Sequence, residues 1–323
     1  MEFFSEKTHF DFIGARFKSF AVFIVVVVGS LIVLAVKGFN YSIDFVGGSV
    51  VQLTYETPVE IGALRKTLES AGFPDAIPQR FTGTDAYQIR LKSRGEDQDA
   101  TLVEEFLKKL AAADPAAKFR VDSQEFVGPT VGAHLFKQAS FAIFFCLLGI
   151  VIYVGFRFAN PVWGVAGVIA LAHDVLATAG LVSLLGLEFD LTLVAGLLTL
   201  AGYSINDTIV IFDRIRERLT MNRREPLDQL LNISVNETLS RTIITSGLVF
   251  ITVVTLLLFG GAVIHDFALC MTFGVFVGSY STIAVATPMV YEWETRRGGA
   301  RPALAEPVVS AGGGKPHGKH RRG

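Results

Sequence analysis

Six apolar blocks fix the class of this chain: Phe20–Val36, Ala139–Phe156, Pro161–Leu185, Leu191–Phe212, Ile243–Ile264 and Phe267–Tyr291. A bilayer core about 30 Å thick takes roughly 20 apolar residues in a helix, and each block comes close to that length. Lipid offers no partner to a bare backbone amide or carbonyl, so a crossing block must be helical. Composition agrees, with 51% of the 323 residues hydrophobic and 18% charged, against about 25% charged in soluble domains. The expected fold is an α-helical polytopic membrane protein with six transmembrane helices.

Lys and Arg near the blocks set the expected orientation. Lys7, Arg16 and Lys18 precede the first block, Arg157 lies in the second connection, and Arg214, Arg216, Arg218, Arg223 and Arg224 lie in the fourth. Arg296, Arg297 and Arg301 follow the last block, whereas the connections around Gly186–Asp190 and His265–Asp266 carry no Lys or Arg. Six spans put every basic connection on one side, with both termini cytoplasmic. The expected division is a cytoplasmic segment over 1–19, a first span over 20–37, a periplasmic domain over 38–138, five spans over 139–295 and a disordered basic cytoplasmic tail over 296–323. No cleavable signal is expected, because Glu2, Glu6 and Asp11 precede the first block and no small-residue cleavage site follows it.

The segment between the first two spans carries its own pattern. Val51, Leu53 and Tyr55 alternate as in a half-buried strand, and Ile61, Leu64 and Leu68 follow at helical spacing. A strand at Ile77–Phe81, a turn through Thr82–Asp85, a second alternation at Tyr87, Ile89 and Leu91, a helix through Leu102, Phe106 and Leu110, and a strand at Phe119 and Val121 complete a β-α-β-β-α-β order. That order predicts a small α+β domain of ferredoxin-like type.

Several function classes drop out. A net charge of −1 says nothing about nucleic acid, but no basic stripe is interleaved with aromatics, and no nucleic-acid partner is expected. Cys146 and Cys270 lie inside apolar blocks and form neither a metal set nor a disulfide framework. Gly312–Lys315 is followed by Pro316 and does not make a phosphate-binding loop; no G-x-S-x-G or H-E-x-x-H run occurs. His317 and His320 sit among Lys and Arg in the tail and predict no metal site. No catalytic residue, no metal and no cofactor is expected, and the chain is not expected to be an enzyme.

The informative residues are ionisable ones inside the blocks, since a charge at the bilayer centre costs roughly 2.5–3.5 kcal/mol on insertion scales. His173 and Asp174 lie near the middle of the third block, Asp207 lies in the fourth beside Asn206 and one turn from Tyr203, and Arg241 opens the fifth. Asp207 precedes Asp213 by six residues, which places it about 9 Å inside the cytoplasmic end. Arg241 enters from the same face, so the two meet at similar depth if the fourth and fifth spans are neighbours. Two readings stand open: a proton site, or a structural ion pair that fixes helix register. His173 beside Asp174 admits the same pair. The Asp213–Glu217 charges read as a solvated helix end. Gly164, Gly167, Gly196, Gly202, Gly274 and Gly278 mark close helix packing or a moving interface.

Five motifs in order carry a resemblance. They are Asp44-Phe45-Val46-Gly47-Gly48 after the first span, Gly128-Pro129-Thr130-Val131-Gly132 before the second, His173-Asp174 in the third, Gly202 to Glu217 in the fourth, and Asn236-Glu237-Thr238-Leu239-Ser240-Arg241-Thr242 at the fifth. Over about residues 10–295 the chain resembles the SecD/SecF family of protein-export membrane subunits, on its SecF side. The resemblance implies one six-helix half of the resistance–nodulation–division (RND) type, in the bacterial inner membrane, completed by a SecD-like subunit. It implies use of the proton-motive force to draw an unfolded polypeptide through the SecYEG translocon. By position, Asp207 is implied as the proton-passing aspartate and Arg241 as its basic partner, with Asp44, Phe45, Gly47 and Gly48 as a joint at the outer end of the first span. Membrane lipid is the remaining expected partner. Two other functions stay open: a half-size RND-type efflux transporter of small molecules, and a non-transporting scaffold.

Overall fold

The computed structural model describes residues 10–80, 85–92, 96–115, 117–158, 160–222 and 225–297. Residues 82–84 of the expected Thr82–Asp85 turn, Phe81 of the expected strand, the tail beyond 297 with His317 and His320, and the first nine residues lie outside the described residues. In chain order the elements are α1 (Arg16–Lys37), β1 (Asn40–Tyr41), α2 (Ile43–Val46), β2 (Gly48–Tyr55), α3 (Ile61–Ser70), β3 (Ile77–Arg80), β4 (Ala86–Leu91), α4 (Glu96–Ala113) and β5 (Phe119–Val127). Then follow α5 (Pro129–Arg157), α6 (Pro161–Leu185), β6 (Glu188–Phe189), α7 (Leu191–Met221), α8 (Leu227–Phe259), α9 (Ala262–Ser281), a π-helical turn at Thr282–Ala286, and α10 (Thr287–Arg296).

Among the described residues six helical columns are long and apolar enough to cross a membrane: α1, α5, α6, α7, α8 and α9 continued through α10. The chain is a multi-pass membrane protein. The π turn has a local cause. Pro288 lacks the amide that would bond the Ala284 carbonyl, so the helix widens ahead of it and Thr287 Oγ1 reaches the Thr282 carbonyl at 3.3 Å.

The insert between α1 and α5 is the α+β unit the alternation predicts. Its sheet has the strand order β3-β4-β2-β5, with every neighbouring pair antiparallel, as in ferredoxin-like folds. Leu64 and Leu68 of α3 and Leu102, Phe106 and Leu110 of α4 close over Val51, Leu53, Tyr87 and Ile89. Burying a Leu or Phe side chain contributes about 1.5–3 kcal/mol, so these aliphatic and aromatic side chains hold the unit together.

Helix boundaries differ from the apolar blocks. α5 starts at Pro129, ten residues inside the expected insert, and α8 starts at Leu227 rather than Ile243. Asp228, Asn232, Asn236, Glu237 and Arg241 lower the mean hydropathy of that first half of α8, yet Leu230, Leu231, Val235 and Leu239 form a buried stripe at helical spacing. The same holds for α7 beyond Phe212, where Ile215 and Leu219 stay buried. The Arg214 and Arg218 guanidiniums are not simply solvated there: they grip Glu237 of α8 at 2.7 and 2.6 Å.

Two glycine motifs that lie far apart in sequence meet just past the C-terminal end of α1. Gly47 has φ 75°, and a Cβ on it would stand 2.8 Å from the Pro129 Cα; a Cβ on Gly132 would stand 3.1 Å from the Phe45 carbonyl oxygen. Backbone therefore packs on backbone, and neither position has room for a side chain. Gly47→Ala is expected to destabilise the protein by about 2–4 kcal/mol, combining left-handed strain with overpacking. Gly62→Ala on α3, which meets nothing within 4 Å, is expected to be neutral or up to about 1 kcal/mol stabilising. Thermal melts of both variants in detergent check the contrast.

Candidate functional site

Among the described residues three carboxylates are buried in the bundle, Asp174 on α6, Asp207 on α7 and Glu294 on α10, and the first two meet α7 one turn apart. The first, Asp174 on α6, has no exposed surface. Its Oδ2 accepts from Ser204 Oγ of α7 at 2.5 Å and from Ser281 Oγ of α9 at 2.7 Å, and its Oδ1 lies 2.9 Å from His173 Nδ1. The His173 ring stacks on Phe23 of α1 at 5.0 Å between centroids, and its Nε2 is buried without a hydrogen-bond partner among the described residues. Thr208 and Thr282 hydroxyls, 3.1 Å apart, tie α7 to the π turn just beyond Ser281. One carboxylate thus joins α6, α7 and α9, and α1 closes it off. Glycine makes this possible, because a Cβ on Gly278 would sit 3.3 Å from Ser204 Cβ.

The second carboxylate is Asp207, 4% exposed, whose Oδ2 accepts from Ser246 Oγ of α8 at 3.0 Å. The Tyr203 hydroxyl, one turn earlier, also lies near Ser246. Arg241 is exposed and outside ion-pair distance of Asp207, reaching it only through space. Sequence placed these two at similar depth on neighbouring helices; the structure puts a serine where the arginine was expected. Asn206 turns the other way and is exposed.

The exposed side of α7 is polar and small at bilayer depth. Thr192, Ala195, Thr199, Gly202 and Asn206 follow one another at three- and four-residue intervals and are exposed. Gly202 meets nothing within 4 Å, whereas Gly167, Gly196, Gly274 and Gly278 each press on a side chain of this chain. The other glycines are thus used within the bundle, and Gly202 alone among these is left uncovered.

At the end of the bundle that carries the insert, Asp44 Oδ2 accepts from the Leu191 amide at 3.2 Å and Asp190 Oδ1 from the Leu193 amide at 2.6 Å, so both serve the first turn of α7. Phe45 packs in an aromatic cluster with Tyr41, Phe136 and Phe189. The mini-sheet of β1 and β6 and the Arg90–Glu188 ion pair fasten the insert to this end. Burial pushes the Asp190 carboxyl up to about 6; Asp44, Asp266 and Glu188 add like charge, while the Leu193 amide opposes the shift.

Asp190 holds its proton more tightly when folded than the ordinary carboxyl does at 3.8. Folding therefore takes up a proton between pH 4 and 6, so stability rises on acidification through that window and the burial penalty is complete above about pH 6. Asp190→Asn keeps a good helix cap and is expected to melt higher than the parent above pH 6 and level with it near pH 4. Melting curves from pH 4 to 8 check it.

Ser204, Ser246 and Ser281 were not legible as site residues. A serine in an apolar helix ordinarily bonds its own preceding turn, as Ser234 does to Leu230, so nothing in spacing separates the two uses.

Residues 106–296 match the family described as protein export membrane protein SecD/SecF, C-terminal, and residues 32–59 match the SecD/SecF GG motif. The chain belongs to the SecD/SecF family. It is 43% identical over 297 residues to the protein translocase subunit SecF of Calditerrivibrio nitroreducens, covering 90% of this chain and 96% of that one. It is 38% identical to the SecF of Escherichia coli O157:H7, covering 89% of each. The crystal structure of SecDF from Thermus thermophilus superposes with a TM-score of 0.82 at 40% identity, over 91% of this chain. The chain spans about 40% of that SecDF chain's length. A SecDF structure in a super-membrane-facing form gives a TM-score of 0.65 at the same 40% identity and 90% coverage. The SecD/SecF chain described here is therefore arranged more like the first than the second.

Proposed function

We propose that this chain is the SecF-like half of a proton-driven protein-export device, acting with a SecD-like subunit beside the SecYEG translocon on an unfolded polypeptide. The observation that carries this is Asp207: a buried carboxylate on the helix whose other side is an uncovered polar stripe. Polar groups facing lipid are costly, so the stripe calls for a protein neighbour, and the SecDF relative joins two such parts in one chain. In this reading the SecD-like half covers Gly202, Asn206 and Arg241 and completes the proton path, with Tyr203, His173 and Asp174 in support. The chain lies in the bacterial inner membrane with both termini cytoplasmic and the insert outside. The role is one of transport, with no bond made or broken in the polypeptide.

Proton entry and exit at Asp207 supplies the drive. One charge moved across the membrane yields about 2.3 kcal/mol per 100 mV. Small residues along α7 let that helix slide against its neighbour, and the tight Gly47–Pro129 contact passes the movement to the insert. An efflux role is disfavoured because the insert is filled by its own side chains.

Inner-membrane vesicles carrying SecYEG, the SecD-like subunit and this chain provide the test. Export of a secreted protein is expected to speed up on imposing a proton gradient, and an uncoupler is expected to cancel the gain. Equal export with and without the gradient overturns the proposal.

A further inference from the structure

A cavity of about 610 Å³ opens between the first turns of α1 and the end of the α9–α10 column, walled by Phe17, Phe20, Phe23, Ile24, Met289 and Trp293. The volume falls within the roughly 300–1,000 Å³ of small-ligand sites. No residue of α1 is fully buried, so the cleft opens on the surface of the chain within a spanning helix. Its rim is charged. Arg16 Nε holds Glu292 at 2.6 Å, and Arg296 Nε lies 3.4 Å from the same carboxylate with its side chain 81% exposed. The Arg297 guanidinium sits 5.8 Å above the Trp293 ring. Two cations thus share one carboxylate, and a third stands over the tryptophan ring beside them.

The two parts of the cleft select one class of occupant. An apolar slot takes an acyl chain, and an excess of guanidinium at the end of a spanning helix, where headgroups lie, takes a phosphate. A neighbouring protein helix would fill the slot and leave the rim charge in excess. We propose that this cleft binds an anionic phospholipid, with its acyl chain along the phenylalanines and its headgroup on Arg296 and Arg297. Phe23 lines the cleft and stacks on His173, so the lipid reaches the wall of the Asp174 cluster.

The chain carries two tryptophans, Trp163 and Trp293, and Trp163 is buried in the bundle core, which supplies a direct readout. The full chain is reconstituted in phosphatidylcholine vesicles holding small fractions of either phosphatidylglycerol or phosphatidylcholine with brominated acyl chains. The same measurement on Trp293→Phe gives the Trp163 background. Quenching of Trp293 is expected to show about tenfold preference for phosphatidylglycerol, equivalent to 1.4 kcal/mol, and the Arg296→Gln/Arg297→Gln pair is expected to abolish that preference. Equal quenching by the two lipids makes the cleft an ordinary lipid-facing surface and overturns the proposal. Absence of quenching by either lipid, or a preference that survives the double substitution, overturns it as well.

Discussion

Asp207→Asn is expected to remove the gradient-dependent part of export, lowering it at least about tenfold, a barrier change of about 1.4 kcal/mol, at unchanged abundance in the membrane. The amide is nearly the size of the carboxylate and still accepts from Ser246 Oγ, which lies 3.0 Å from the native Oδ2, so packing survives. What it loses is the ability to take up and release a proton. Arg241→Met is expected to act differently from an ordinary buried-pair disruption. Arg241 is exposed and does not touch Asp207, so its loss leaves no bare charge in the core and the chain alone keeps its abundance. The defect is expected only with the SecD-like half in place, as weaker gradient-dependent export. Vesicle export normalised to the amount of complex measures both. A wild-type gradient response from Asp207→Asn at wild-type abundance refutes the proton-carrier role and returns Asp207 to a structural one.

Asp174→Ala is expected to be the most destabilising substitution in the bundle. It strands the Ser204 hydroxyl and His173 Nδ1, which contact the carboxylate at 2.5 and 2.9 Å, and leaves the Ser281 hydroxyl, 2.7 Å away, with the Gly278 carbonyl alone. Removing the shared acceptor of a buried polar network costs about 3–5 kcal/mol, and three helices lose their common tie at once. Ser246→Ala removes one bond and is expected to cost about 1–3 kcal/mol. Melting in detergent separates the two, and Asp174→Asn falls between them because its amide oxygen can still accept both serine hydroxyls, which share Oδ2 in the parent, but without the carboxylate's charge. A melting point for Asp174→Ala within about 2 °C of wild type, less than 1 kcal/mol for a chain of this size, contradicts the tie.

Local pattern was enough for the architecture. Hydropathy over one span needs no knowledge of any other, and the alternation of Val51, Leu53 and Tyr55 or of Tyr87 and Ile89 marks strands wherever those strands lie. The six spans, the α+β insert and the carboxylates worth attention were therefore legible. The polar half of α8 was not, because Asn232, Asn236 and Glu237 hide its buried stripe from an average over neighbours. The partners of each carboxylate were not legible either. Asn206 and Asp207 are adjacent in sequence but point about 100° apart on a helix, and only the packing of α7 decides that one is exposed and the other buried. Hydropathy and residue type alone put a carboxylate within a spanning block. Helix packing makes Asp207 meet Ser246 rather than Arg241, and lets Asp174 gather hydroxyls from α7 and α9. The reason is that insertion cost belongs to a single residue, whereas a hydrogen bond belongs to two groups whose distance no local pattern contains.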